Sequence, residues 1–354
     1  MAARVQHLQA TNEAGCGTPT EWSGPIHLQE AASMRAVDKA EVIFLVDNAT
    51  DSLSSNPDFV ETEFASHRRR GMPWLSGKCL CCAAHGLSCL ITTRTGSASR
   101  TLLFDTGPEE WVFERNVVRL GLDLGQVGAV VLSHGHWDHG GAMPRALQMI
   151  TMGNGGHPVP TYMHPDMFAL RATKSADGSL RPMESVPNVE TLSGNGADVI
   201  VTRDEQTLLD QMFYLSGEIP RVSHFERGLP GQCRQTPAGT WEPDELMPDE
   251  RFVAVNVAGK GQVVFTACSH AGLINVLTHA QARFPDVPLY GVFGGFHLSG
   301  VTETVIPETV EALARFDLRL ISPGHCTGWR AVNALVAAYG DRVVPSAVGK
   351  TFML

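Results

Sequence analysis

Hydrophobic and polar positions fall into two alternating rhythms along this chain. Short runs dominated by β-branched and aromatic residues recur at 41–46, 86–93, 100–104, 129–132, 198–202, 212–215, 252–257, 262–266, 289–293 and 318–321. Most are apolar throughout, the pattern of strands covered on both faces in a layered sheet. Between them lie stretches with apolar residues at helical spacing. Residues 109–121 place Trp111, Val112, Val118 and Leu120 on one such pattern and stop at Gly121, a residue suited to the left-handed turn that ends helices. Further helices are expected at 143–150, 271–280, 307–316 and 329–339, with Pro307 in a first turn. Glycine turns predict two hairpins, one around Gly96 and one across Gly259-Lys260-Gly261. Residues 343–354 are expected as a terminal edge segment.

Strands alternating with helices predict an α/β fold. The chain has 354 residues, 43% of them hydrophobic, enough for a full core. That length exceeds the common single-domain size, but a layered sandwich with insertions absorbs it. Residues 1–40 are punctuated by proline and glycine without periodicity and are expected to be an N-terminal extension. Residues 41–354 are expected to be a single domain, with 171–250, rich in glycine, proline, serine and charge, as a pocket-forming insertion.

Charge and cysteine usage narrow the setting. With 37 acidic and 27 basic side chains the formal charge is −10, which disfavours nucleic acid and anionic membranes as partners. No apolar run is long enough to cross a membrane, and the first residues lack the apolar core of a secretory signal. Eight dispersed cysteines do not form a disulfide framework, so a reducing, cytoplasmic home is expected. Cys79-Leu80-Cys81-Cys82 lacks the second pair that a structural zinc needs.

The chemistry is concentrated where the run at 129–132 ends, in Ser133-His134-Gly135-His136-Trp137-Asp138-His139-Gly140-Gly141. In an extended segment side chains two apart point the same way, so His134 and His136 face one centre. Asp138 and His139 follow where the chain turns. Imidazole nitrogen and carboxylate oxygen are donors that zinc, manganese and iron accept. Other strand ends carry polar groups too: Asp47-Asn48, His85, Asp105, Glu218 with Arg221, Cys268-Ser269-His270, His297 and His325. Strand ends are where α/β proteins place their chemistry.

The central motif, Ser-His-x-His-x-Asp-His-Gly-Gly, resembles that of the metallo-β-lactamase superfamily. His85-Gly-Leu-Ser88, Leu102-Leu-Phe-Asp105-Thr-Gly107, Ser216-Gly-Glu-Ile-Pro-Arg221, Cys268-Ser-His270-Ala-Gly-Leu-Ile-Asn275, Gly294-Gly-Phe-His297-Leu298 and Pro323-Gly-His325-Cys-Thr-Gly328 resemble a branch of it. That branch is named after dihydropterin–ribofuranosylaminobenzene-phosphate synthase. The resemblance runs from about Val42 to the C-terminus and implies an αββα four-layer sandwich. It also implies one or two divalent metal ions, zinc as the expected ion, manganese or iron as alternatives. Site one would take His134, His136 and a third ligand, site two Asp138, His139 and His325. Relatives commonly place a bridging aspartate where this chain has Cys268, so the third ligand is either His270, the favoured choice, or the Cys268 thiolate. Otherwise Cys268 is a small buried residue or a substrate contact. Asn48, His85 and Arg221 are the other expected substrate contacts, and His297 a general acid or substrate ligand.

A divalent cation lowers the pKa of its water to about 7. The expected activity is therefore metal-dependent hydrolysis of a small molecule, anionic species included, at an ester, phosphoester, thioester or lactone, with Asp138 orienting the water. Two alternatives stay open: a transferase joining a pterin to an aminobenzene ring with loss of diphosphate, and a non-hydrolytic metal-binding or redox protein. The expected partner is a small-molecule substrate, and a homodimer is an allowed assembly.

Overall fold

In the computed structural model, which describes residues 33–72 and 74–354, two sheets pack face to face. The first runs Ala197–Val201, Val159–Met163, Val127–Val131, Ala98–Phe104, Ser88–Thr95, Lys39–Val46, Thr351–Met353, Val60–Glu61. The second runs Gln206–Leu208, Phe213–Leu215, Val253–Val257, Gly261–Thr266, Leu289–Gly295, Leu320–Gly324, and Ala36–Val37 also pairs with Val253–Val257.

The two-residue period of a strand sorts side chains between layers. Ala40, Val42 and Phe44 face the second sheet, whereas Ile43 and Leu45 face the outer helices. Leu102 and Phe104 divide from Leu103 in the same way, and Phe265 and Phe293 from Val264 and Val292. Between the sheets Phe293 stacks on Phe265 at 5.3 Å and meets Phe352 edge-on at 4.9 Å. Truncating one such ring to alanine costs about 3–5 kcal/mol.

Helices cover both outer faces, Glu110–Leu120 and Met143–Gly153 on the first sheet and Leu273–Arg283, Ile306–Leu313 and Trp329–Tyr339 on the second. The αββα sandwich is thereby established. The face of Glu110–Leu120 differs from the expected one: Trp111 and Val118 are exposed, and Val112, Phe113, Val117 and Leu120 are buried. Phe113 and Val117 carry the stripe because they sit one and five positions after Val112, on the same side of a 3.6-residue turn.

Residues 171–250 are not one insertion. Ala197–Val201 extends the first sheet and Gln206–Leu208 with Phe213–Leu215 the second. Only Trp241–Pro243, Gln232–Gln235, Arg171–Lys174 and Leu180–Pro182 form a separate four-stranded sheet. The C-terminal strand is no edge either, since Thr351–Met353 pairs with Lys39–Val46 on one side and Val60–Glu61 on the other. Ala32–Leu354 is one compact unit. Of the expected extension 1–40, residues 1–32 lie outside the described residues, and strand Lys39–Val46 begins two residues before position 41. No helix among the described residues is long and apolar enough to cross a membrane.

Candidate metal centre

Strands Ala98–Phe104 with Val127–Val131, and Gly261–Thr266, Leu289–Gly295 and Leu320–Gly324 with one another, run parallel, so their carboxyl ends share one edge of the sandwich. At that edge Asp105, Ser269, His297 and His325 hold left-handed backbone, with φ of 56°, 56°, 41° and 45°. Such conformations cost roughly 1–3 kcal/mol each and persist where surrounding contacts fix them.

The expected ligands converge. His134 Nε2 lies 3.0 Å from His136 Nδ1, and the His270 ring lies 4.9 Å from His134 and 5.0 Å from His136. His139 Nε2 lies 3.6 Å and His325 Nε2 3.3 Å from Asp138 Oδ2. Cys268 joins both halves. Donor atoms of His134, Cys268 and His270 lie within 4.8 Å of one another, as do those of His139, Cys268 and His325. Its sulfur is 3.2 Å from His139 Nε2 and 3.3 Å from the Cys326 sulfur. Both answers to the missing aspartate are therefore within reach together. A substrate-contact role for Cys268 is corrected, because the residue is 2% exposed and turned into the histidines.

Four buried carboxylates hold the ligand loops. Asp105 accepts Ser133 N–H and Ser133 Oγ–H at 2.7 Å each and His139 Nδ1–H at 2.7 Å. With Nδ1 protonated, His139 presents bare Nε2 to the centre. Ser133 Oγ in turn accepts His134 Nδ1–H at 2.9 Å, which bares His134 Nε2. Asp249 accepts Gly135 N–H, and it also pairs at 2.7 Å with Arg171, which donates to Asp244 and the Gly135 carbonyl. A Cβ on Gly135 would lie 2.4 Å from Met167 O, so glycine is required there by close approach rather than by bending. Glu250 accepts His270 N–H and Ala271 N–H, and Asp47 accepts His325 N–H at 2.9 Å and the Ser346 hydroxyl. Burial pushes the carboxyls of Asp47 and Glu250 above their ordinary range.

The donor set suits a divalent cation. Both ring nitrogens of His270 are buried without a hydrogen-bond partner among the described residues. A buried polar atom in that state costs about 1–3 kcal/mol unless something else satisfies it. Gln232 Oε1 is likewise unpartnered while its amide sits 3.1 Å from His136 Nε2. Turning that amide over accepts His136 Nε2–H and frees Nδ1 toward the centre. Burial holds His134 and His270 well below the ordinary imidazole pKa and His136 down to about 3, so all three are neutral ligands. Burial opposes the charge of Asp138, but His139, His325 and His136 together hold its carboxyl far below the usual range.

The remaining expected residues separate. Asn48 Oδ1 accepts His325 Nδ1–H at 3.0 Å and Gly86 N–H, and its Nδ2 donates to His85 Nδ1. His85 is exposed at the rim with Nε2 3.4 Å from Asp138 Oδ2. His297 packs its ring 4.4 Å from His270, beside a cavity of about 200 Å³. Arg221 does not serve as a substrate contact. Its guanidinium donates to the carbonyls of Ile219, Leu246 and Met247, and Glu218, its expected partner, pairs with Arg203 and His164 instead. Arg171, Gln232, Asp249 and Glu250 went unread in the sequence. A signal existed for two of them: Asp249-Glu250-Arg251 sits directly against the apolar run at 252–257, where a charged triplet is poorly placed for solvent.

Comparisons with known proteins bear on the fold and on the resemblance. The family model of the metallo-beta-lactamase superfamily matches residues 88–207. The 7,8-dihydropterin-6-methyl-4-(beta-D-ribofuranosyl)-aminobenzene-5'-phosphate synthase of Methanocaldococcus jannaschii is 26% identical over 259 residues, 73% of this chain and 85% of that one. A second, uncharacterized protein of that organism is 29% identical over 253 residues, covering 72% and 88%. Among solved structures, a metal-dependent hydrolase of the beta-lactamase superfamily aligns with a TM-score of 0.65 at 20% identity, over 89% of this chain and 98% of the other. The resemblance read from the motifs is borne out, and so is the fold.

Proposed function

We propose that this chain, which carries a metallo-β-lactamase domain, is a divalent-metal-dependent hydrolase of a small molecule with an ester, phosphoester, thioester or lactone bond. The observation that carries the reading is the pair of donor sets, His134/Cys268/His270 and His139/Cys268/His325, sharing one sulfur beside Asp138 and an open cavity. Soft thiolate and imidazole donors favour zinc. A divalent cation held by these donors would supply a water acidic enough to ionise near neutral pH and positive charge for a developing oxyanion.

The protein's own groups supply the rest. Asp138, ionised and bracketed by His139, His325 and His85, orients the attacking water through Oδ2. Asn48, by donating to His85 Nδ1, leaves Nε2–H of His85 facing the Asp138 carboxylate 3.4 Å away, at an exposed rim position that a substrate oxygen can also reach. His297 Nδ1 has no partner among the described residues and borders the cavity, a placement suited to protonating the leaving group.

A second reading, transfer with loss of diphosphate, is favoured by one observation, the synthase among the relatives. The test separates the two. Protein purified without added metal is assayed against generic esters, phosphodiesters and lactones, and against a dihydropterin diphosphate with and without an aminobenzene acceptor. Hydrolysis of a single substrate, lost on chelation and restored by zinc, supports the hydrolase. Diphosphate release that requires both cosubstrates overturns it in favour of the transferase.

A further inference from the structure

We propose that the cavity beside His270 and His297 receives one compact apolar group of the substrate, a lone six-membered ring or a short branched acyl chain. This deepens the hydrolase reading, which supplies the orientation of the substrate; the chemistry of the group comes from the cavity itself.

Size sets the first limit. The cavity holds about 200 Å³. An apolar cavity of about 150 Å³ accommodates benzene. One ring with a small substituent fits within that volume, and a fused two-ring system would have to protrude from it.

The lining sets the second. Phe225, Leu273, Phe296, Leu298 and Val305 supply carbon walls. Four polar side chains among them are already engaged. Ser269 Oγ donates to the Gly295 carbonyl, Thr302 Oγ1 to that of Ser299 and Thr304 Oγ1 to that of Val301. The Glu226 carboxylate accepts Ile274 N–H and Asn275 N–H at the start of helix Leu273–Arg283. Arg227, the arginine of the lining, is solvent-exposed, so its charge is not buried against the carbon walls. Apart from the nitrogens of His270 and His297 at the metal end, the lining side-chain atom left buried without a partner is Thr309 Oγ1. A heterocycle edged with donors and acceptors would lose its hydrogen bonds to water and, between the metal end and the exposed Arg227, find one buried hydroxyl in return. A ring or acyl chain with at most one polar substituent loses nothing of that kind.

Calorimetric titration of the zinc-loaded protein with methyl-, phenyl- and 1-naphthylphosphonate tests the proposal. The phosphonate occupies the metals and the organic group probes the cavity. Burying a ring is expected to make phenylphosphonate bind at least about tenfold more tightly than methylphosphonate, and naphthylphosphonate no better than methylphosphonate. Leu273→Trp fills the cavity and should erase the phenyl advantage. Val305→Trp fills it from the opposite wall should Leu273→Trp fail to fold. Equal affinity for methyl and phenyl, tighter naphthyl than phenyl, or a phenyl advantage that survives filling overturns the proposal. Saturation-transfer NMR with benzyl alcohol on metal-stripped protein keeps the two readings distinct. If no zinc binds, and the phosphonates therefore fail, a benzyl alcohol signal lost on filling still supports the cavity assignment, and its absence in the unfilled protein overturns it.

Discussion

Replacing Asp105 by asparagine keeps the shape of the side chain but puts a donor where Oδ2 now accepts both Ser133 Oγ–H and His139 Nδ1–H; the hydroxyl can rotate away and the imidazole cannot. Asparagine tolerates the left-handed backbone at φ 56°, and its Oδ1 still accepts Ser133 N–H. The second oxygen becomes an amide N–H₂ that opposes His139 Nδ1–H, now held at 2.7 Å by the carboxylate. To escape, the imidazole moves its proton to Nε2, the nitrogen that faces Cys268, and so loses its lone pair toward the metal. Removing a carboxylate partner of a ligating histidine typically costs 10–100-fold in metal affinity, about 1.4–2.7 kcal/mol. Asp105→Asn should therefore bind zinc about 10–100-fold more weakly in competition with a chromogenic chelator. The metal-free variant should lose only about 1.5–3 kcal/mol in urea unfolding, the range for a charge-assisted hydrogen bond. Nitrogen-15 NMR of the metal-free variant should report the Nε2–H tautomer at His139. Unchanged affinity, or an unchanged tautomer beside weakened binding, would refute the argument.

Because Cys268 belongs to both donor sets, Cys268→Ser should weaken both metal positions, whereas His270→Ala should lose about one ion per chain; elemental analysis of each variant checks this. His136→Ala and Asp138→Ala should each abolish turnover while circular dichroism stays unchanged, since both sit at the sandwich edge and outside its core. Arg171→Leu strands the buried carboxylates of Asp244 and Asp249 and should destabilise the protein by about 3–5 kcal/mol in urea unfolding. Burial depresses His279 from 6.5 to about 4. Its folded form resists protonation, so the associated stability is intact above pH 6.5 and is lost as pH falls from 6.5 toward 4. The metal-free protein should therefore lose about 2 kcal/mol more between pH 7 and pH 5 than His279→Leu does; equal losses would place the sensitivity elsewhere.

Much of the sandwich was legible because its strands are apolar on both faces and its turns are glycines. The strand at Val127–Val131 and the helix at Trp329–Tyr339 are examples, read from local pattern alone. The candidate ligand histidines were legible partly from the cluster at His134–His139 directly after a strand and, for His270 and His325, from the resemblance to the superfamily's motifs. What holds them was not. Asp249 lies over a hundred residues from the loop at Gly135, and Gln232 nearly as far from His136, in a region whose composition reads as a polar insertion. Arg221 and Glu218 misled for the opposite reason: proximity in sequence suggested a pair, and each found a partner contributed by another segment. The terminal strand Thr351–Met353 looked like an edge because position in the chain carries no information about position in a sheet.

The claim that two donor sets share Cys268 in a metal-dependent hydrolase is tested most directly by metal content and hydrolysis measured on one preparation. Protein purified without added metal, stripped by chelation and titrated with zinc, should regain hydrolysis in step with one or two bound ions per chain, and should lose both together when Cys268 is changed to serine. Hydrolysis that persists through chelation, or full zinc loading and full activity in Cys268→Ser, would contradict it.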